Sequence, residues 1–394
     1  MRTVKANWLV IVTAAILFGI CIMTVVSGGK AILSSTLSNI KAQSINIGLP
    51  KVVISEFEDS YTQNLFGKSY FVEVLGVFNK SLNKQIVLDN EDRYTVYRMT
   101  NGQLTHNYVG YDTTQYAENY LSFAKQMEGA NIPLLYVQAP FKIDKYDNQL
   151  PYGMHDETNP LADNFIQIIS EDCDYYDLRE EIHNQGLDYA SLYYKTDHHW
   201  TAETGLWASG LLASKLNDLY DLDLDMSHLS RNDYSFTTYN DYFLGSQGKR
   251  TGICYSGLDD FTLIEPKYDT DYTVRIPVLD IERTGSYGET ILFKEYMGRN
   301  YFIDDPGRVY TGDNYSLMII ENHKSANDTK VLLIKDSYSK SVIPSFASTC
   351  RELHVIDMRT YEGSVVEYAT ENEIDCVVVM YNPSVVVNPK FFEF

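Results

Sequence analysis

Hydrophobic and polar positions divide the chain into distinct textures. From Trp8 to Gly29 no charged side chain occurs, and Ile, Leu, Val, Ala and Met predominate. About 20 apolar residues in a helix cross the hydrocarbon core of a bilayer, so this run predicts a transmembrane helix. Residues 31–94 carry no strong period and read as a stalk or entry segment. From residue 95 the pattern sharpens. Thr95–Arg98 predicts a short strand and Asn101-Gly102 a turn. Thr113 or Thr114 is positioned to cap a helix with Tyr116, Tyr120, Phe123, Ala124 and Met127 on one face, ended by Gly129. Pro133–Val137 is a short apolar run stopped by Ala139-Pro140, as a buried parallel strand would be. A helix over Leu161–Ser170, a strand over Tyr175–Leu178 and a long helix after Thr201 follow.

From about Ser227 to Thr329 the texture changes. Short aromatic and β-branched runs separated by Gly, Asp and Asn predict an antiparallel, β-rich insertion. The alternation then returns with strands at Val331–Ile334, Leu353–Ile356 and Cys376–Met380, and helices through Phe346 and over Val365–Asn372. Their spacing suits right-handed βαβ crossovers. The expected body is therefore an α/β domain over 95–394, a parallel sheet flanked by helices and interrupted by β-rich residues 227–329.

Charge at the chain's start assigns a compartment. Arg2 and Lys5 precede the apolar run, and the positive-inside bias then leaves the tip of residues 1–30 in the cytoplasm and the body outside. No small-x-small site follows, and Ile20 directly before Cys21 argues against lipoprotein cleavage. The reading is thus an uncleaved single-pass anchor; a signal peptide cut near Ser27–Gly29 would leave the body in the same compartment. A net charge of −21 repels phosphate backbones and argues against nucleic acid as a partner. Cys173, Cys254, Cys350 and Cys376 are far apart with no CxxC, which removes zinc-ribbon and thiol-redox readings. The 32 tyrosines suit contact with a polar ligand such as sugar, and equally suit an ordinary β-rich fold.

Two segments carry chemistry. Thr196-Asp197-His198-His199-Trp200-Thr201 lies between a strand-like stretch and the long helix. In an extended loop Asp197 and His199 share a face while His198 turns elsewhere. A carboxylate there fixes the imidazole tautomer and leaves the other ring nitrogen to take a proton from a nucleophile. Val331–Ile334 leads into Lys335-Asp336-Ser337-Tyr338-Ser339, at the carboxyl end of a predicted strand, where ligands gather in open α/β sheets. Ser337 is the candidate nucleophile and Ser339 the alternative, and backbone N–H groups of the turn are candidate oxyanion donors. Helix capping is the plainer role of Ser337, and a core position that of Trp200.

The block resembles the motif of the DHHW proteins, which are similar to the SGNH-hydrolase-like proteins of alginate O-acetylation. Asn101–Leu104, Ala139-Pro140 with Lys142, Leu150-Pro151 and Val355–Arg359 agree with that resemblance, which spans most of the chain from residue 95. It implies an SGNH-like fold in which the order Asp, His, Ser is a circular permutation of the usual one. It further implies transfer or hydrolysis of acetyl groups on exopolysaccharide or cell-wall glycan, with Ser337 as the acylated residue, His199 as base and acid, and Asp197 as its orienter. His198, Trp200, Tyr338 and Arg359 are the implied substrate neighbours. The acetyl donor would come from a membrane O-acyltransferase, and no metal or organic cofactor is required. One departure stands out: Lys335 occupies the position of the family's Gly. Two rivals follow from the residues, a glycan-binding scaffold with an impaired site and a metal phosphoesterase built on Asp197-His198-His199.

Overall fold

A computed structural model describes residues 2–42, 54, 56–58, 60–62, 64–87 and 95–394. The chain forms two compact units, residues 1–78 and 79–394. In the first, helix α1 runs from Arg2 to Ala42. Its stretch Trp8–Ser38 contains an 18-residue window of mean hydropathy 2.9 and turns side chains such as Trp8, Leu17 and Phe18 outward. At about 1.5 Å per residue it exceeds the roughly 30 Å of a hydrocarbon core. Thr24 and Thr36 return their hydroxyls to the carbonyls of Ile20 and Ile32, so these polar groups stay satisfied within the helix. The segment read as a stalk includes the end of α1 and helix α2 (Lys68–Ser81); part of it lies outside the described residues.

The second unit is built on one eight-stranded sheet. In chain order its strands are β1 (Leu134–Gln138), β2 (Tyr175–Asp177), β3 (Tyr272–Ile276), β4 (Ile281–Gly285), β5 (Leu317–Asn322), β6 (Lys330–Lys335), β7 (Glu352–Ile356) and β8 (Cys376–Tyr381). Across the sheet the order is β2-β1-β8-β6-β7-β5-β3-β4. The first five of these are parallel, as their apolar runs predicted, with Val331 opposite both Leu353 and Cys376. The last three are antiparallel, so the expectation of a wholly parallel sheet is corrected to a mixed one. The physical reason is the β3–β4 hairpin, turned at Asp280 in the left-handed region, which cannot join by parallel crossovers. Within the β-rich stretch 227–329, β3, β4 and β5 therefore extend the central sheet, while a two-stranded antiparallel ladder joins Tyr234–Phe243 to Asp259–Pro266.

Each central strand buries both faces. Val331 and Leu333 point into one core with Leu206, Leu212 and Phe346, whereas Leu332 and Ile334 point into another with Tyr120, Phe123 and Phe165. Helix α3 (Thr114–Gly129) turns Ala117, Tyr120, Phe123 and Met127 inward, close to the face its spacing predicted; Asp112 rather than Thr113 or Thr114 caps its first turn. Helix α4 (Ala202–Tyr220) starts where Thr201 accepts the N–H of Thr204. It packs on the turn after β6 through Gly205, where an added Cβ would lie 2.3 Å from the carbonyl oxygen of Ser341.

That contact yields a test opposed to helix propensity. Gly205→Ala should lower stability by about 1–3 kcal/mol, although alanine is the better helix former by about 1 kcal/mol. Gly210→Ala in the same helix, facing near-open space, should be neutral or stabilising. Thermal unfolding of both variants checks the pair, and equal gains would contradict the packing.

Candidate active site

The Asp-His-His-Trp block is a closed loop. An antiparallel bridge pairs Tyr193 with Trp200, and the N–H of Thr201 donates to Leu192 O at 2.9 Å. Residues 195–199 inside it are bends instead of the extended chain expected, so His198 does not turn away. Its ring lies 3.8 Å from that of His199, centroid to centroid, and its Nδ1 approaches Ser246 Oγ at 2.9 Å. Four neighbouring elements hold this loop. The buried ammonium of Lys142 donates to the carbonyls of Tyr194 (2.5 Å), Lys195 (2.9 Å) and Asp197 (2.7 Å). The carboxylate of Asp259 accepts from Lys195 N, Thr196 N and Thr196 Oγ1. Gly245 comes so close to Asp197 that a Cβ there would sit 2.3 Å from the Asp197 Cβ. Tyr338 donates its hydroxyl to His198 O at 2.6 Å.

Asp197 is buried, yet its oxygens are well supplied with donors. Oδ1 accepts from His199 N (2.9 Å) and faces His199 Nδ1 (2.6 Å), while Oδ2 accepts from Ser246 N at 2.6 Å. Burial alone would raise this carboxyl; His198, His199 and the Ser246 N–H outweigh it and hold the group well below the usual carboxylate range. With Nδ1 committed to Asp197, the other nitrogen of His199 meets Ser337 Oγ at 2.8 Å. Residues 138 positions apart are thus joined as carboxylate, imidazole and hydroxyl. Such a line moves a proton from hydroxyl to ring while the carboxylate stabilises the imidazolium.

Ser337 sits where β6 ends, in a 3-10 turn spanning Ser337–Ser341. Asp336 caps that turn: its Oδ1 takes the N–H of Tyr338 at 2.8 Å, and its Oδ2 takes both Asn382 N and Nδ2 at 2.6 Å. The Tyr338 N–H, a candidate oxyanion donor, is therefore engaged elsewhere. Ser339, the alternative nucleophile, is fully buried and faces no partner. Lys335, in the position of the family's glycine, sends its side chain to Asn314 and to Asp357 (3.2 Å). Arg359 grips the same Asp357 through Nε (2.9 Å) and Nη2 (2.6 Å), and neither cation lines the cavity at Ser337. Trp200 and Tyr338 do line it, with their polar ends engaged: Trp200 Nε1 donates to Tyr338 O at 2.8 Å.

Asp197, His198 and His199 also bring metal-capable atoms within 4.8 Å of one another. Both oxygens of Asp197 are already spent on N–H donors, and His199 Nε2 is directed at Ser337, so the donor set fits proton transfer better than coordination.

The residues unread in the sequence are Lys142 as a loop clamp, Asp259, Gly245-Ser246, and the Asp336–Asn382 pair. The closely spaced Gly245 and Gly248 were the one local signal for the strand-to-helix turn that crosses Asp197.

Buried histidines make stability depend on pH. Burial lowers His106, beside the ring of His198, to about 4, and burial together with the His199 charge lowers His198 well below its ordinary 6.5. The unfolded chain binds protons there that the folded chain refuses, so stability is full above about pH 6.5 and is lost as pH falls toward about 4. Melting temperatures across that window should fall, and less steeply in His106→Gln; identical slopes would contradict the assignment.

No protein-family model and no curated protein matches the chain. Solved structures do. PatB1 of Bacillus cereus, determined with a sulfonyl adduct, superposes with a TM-score of 0.62 at 19% identity, over 79% of this chain and 99% of that one. A DHHW family protein from Eubacterium siraeum superposes with a TM-score of 0.56 at 18% identity, over 78% and 96% of the two chains. The chain therefore shares its fold with PatB1 and with a protein of the DHHW family.

Proposed function

We propose that this protein is a serine-dependent O-acetyltransferase or acetylesterase, anchored by α1, with residues 95–394 acting outside the cytoplasm on exopolysaccharide or cell-wall glycan. The observation that carries the reading is the unbroken line Asp197 Oδ1, His199 Nδ1 and Nε2, Ser337 Oγ, with separations of 2.6 and 2.8 Å. The kind of acyl group and of acceptor rests on the resemblance of the Asp-His-His-Trp block. A PatB1 structure with a sulfonyl adduct agrees with a fold that supports covalent capture.

In this reading Ser337 Oγ attacks the carbonyl carbon of an acetyl ester as its proton passes to His199 Nε2. The bond to the departing oxygen breaks, His199 returns the proton to that oxygen, and acetyl remains as an ester on Ser337. A glycan hydroxyl or a water then yields its proton to His199, takes the acetyl and restores the serine. Asp197 keeps the ring in the tautomer that presents Nε2 as acceptor. Trp200, Tyr338 and His198 position the reacting groups, and Arg359 braces Asp357 behind the turn. The donor of acetyl is a membrane O-acyltransferase in the same proposal, and the steps call on no metal or organic cofactor.

Full-length protein in detergent micelles should hydrolyse p-nitrophenyl acetate. Ser337→Ala should bring the rate to background, Asp197→Asn should lower kcat by about 10³- to 10⁴-fold, and a chelator should leave it unchanged. Undiminished turnover in Ser337→Ala would overturn the proposal, while loss on chelation would move the chemistry to a metal at Asp197, His198 and His199.

A further inference from the structure

Helix α2 carries its apolar side chains on the outside. Tyr70, Phe71, Val74, Leu75 and Val77 are between 51% and 77% exposed. At about 3.6 residues per turn these five fall within an arc of about 160°, whereas Gly76 and Asn79, on the other side, are buried. A helix that packs on its own protein in water shows the reverse arrangement. Contiguous outward apolar surface marks contact with a partner or a membrane.

The segment before α2 points to the membrane. From Ser60 to Phe66 the chain runs back along α1, against the direction of that helix. Ser35 Oγ donates to Ser60 Oγ at 2.8 Å, an added Cβ on Gly28 would lie 3.2 Å from the Asn64 Cβ, and the N–H of Phe66 donates to Thr24 Oγ1 at 3.0 Å. Thr24 is fully buried, although most of the apolar stretch around it is exposed. At about 1.5 Å per residue it lies about 9 Å inside Lys30, the first charge after the apolar run. At that depth the Phe66 N–H has no water to donate to, and the hydroxyl satisfies it as a non-helical backbone group within hydrocarbon requires. An amphipathic helix in the bilayer interface seats its apolar face about 5–10 Å into the boundary of headgroups and acyl chains, and α2 begins at Lys68, just beyond Phe66. Its 14 residues reach about 21 Å, too short to cross the membrane.

We infer that α2 is a second membrane contact, a helix lying in the lipid interface at the carboxyl end of the α1 span, with Tyr70, Phe71, Val74, Leu75 and Val77 among acyl chains. The inference rests on α1 being the anchor proposed above and adds a phospholipid surface as the partner of the next helix. Lipid is the occupant because the two helices share one compact unit through Phe78, tied together at the depth of Thr24. Whatever surrounds the outward side chains of α1 at that level also meets the outward face of α2.

The experiment places the photo-crosslinking residue p-benzoylphenylalanine singly at Leu17, Tyr70, Val74 and Lys80 of the full-length protein. Each variant is reconstituted in vesicles of phosphatidylethanolamine and phosphatidylglycerol and irradiated, and mass spectrometry reads the adducts. Tyr70 and Val74 are 77% and 70% exposed, so the substitution leaves the packing alone, which thermal unfolding matched to the unsubstituted protein checks. Leu17, in the span, should form adducts with acyl chains. Tyr70 and Val74 should form them as well, and Lys80, exposed on the other side of α2, should not. Lipid adducts at Leu17 with none at Tyr70 and Val74, equal yields at Val74 and Lys80, or adducts at Val74 that join two copies of the chain overturn the inference and leave the anchor standing. Absence of lipid adducts at Leu17 overturns the anchor and the inference with it.

Discussion

The interaction on which the rest of the site depends is the set of N–H groups gathered on the buried carboxylate of Asp197. A charge out of water is costly unless hydrogen bonds and opposite charge replace its hydration. Here the replacements come from its own loop, through His199 N and Nδ1, and from the turn at Ser246. With the carboxylate satisfied in this way, the imidazole of His199 has one orientation and its free nitrogen is aimed at Ser337. The constraint propagates outward. Ser246 reaches Asp197 because residue 245 is glycine, and the loop stays in place because Lys142 and Asp259 occupy its carbonyls and N–H groups with a cation and an anion respectively.

The sheet supplies the other half of that alignment. Ser337 stands at the carboxyl end of β6, flanked by β7 and β8, whose own ends provide Asp357 and Asn382. Asn382 fixes Asp336 and so the turn that carries the serine. Asp357 draws away the Lys335 ammonium, which would otherwise crowd Ser337. Helix α4 closes the arrangement by joining the two segments: it begins immediately after the histidine loop and packs through Gly205 on the serine turn.

How much of this was legible from the sequence depended on whether a feature is local. The parallel strands were, because burial on both faces leaves unbroken apolar runs such as Val331–Ile334 and Cys376–Met380. The antiparallel strands of the same sheet were not assigned to it, because Leu317–Asn322 shows only that one face is buried, and its partner Glu352–Ile356 lies beyond β6 in the chain. Asp197, His199 and Trp200 stood out as one block, and Ser337 by its place after a strand. Lys142 holds backbone carbonyls and Asp259 holds two backbone N–H groups and the Thr196 hydroxyl, all far away in sequence, so no local pattern marks either as a clamp. Lys335 stands out in the sequence only as a departure from the family's glycine, because residue identity does not tell where a long side chain goes. The loop geometry was misjudged at His198, since the Tyr193–Trp200 bridge bends what alternation would have kept extended.

The central claim is that one hydroxyl, that of Ser337, is the activated nucleophile of the molecule. Peptide mapping by mass spectrometry after treatment with a sulfonyl fluoride tests it most directly. The account predicts a single adduct on Ser337 that fails to form when His199 is replaced by glutamine; an adduct on another residue, or on Ser337 irrespective of His199, would contradict it.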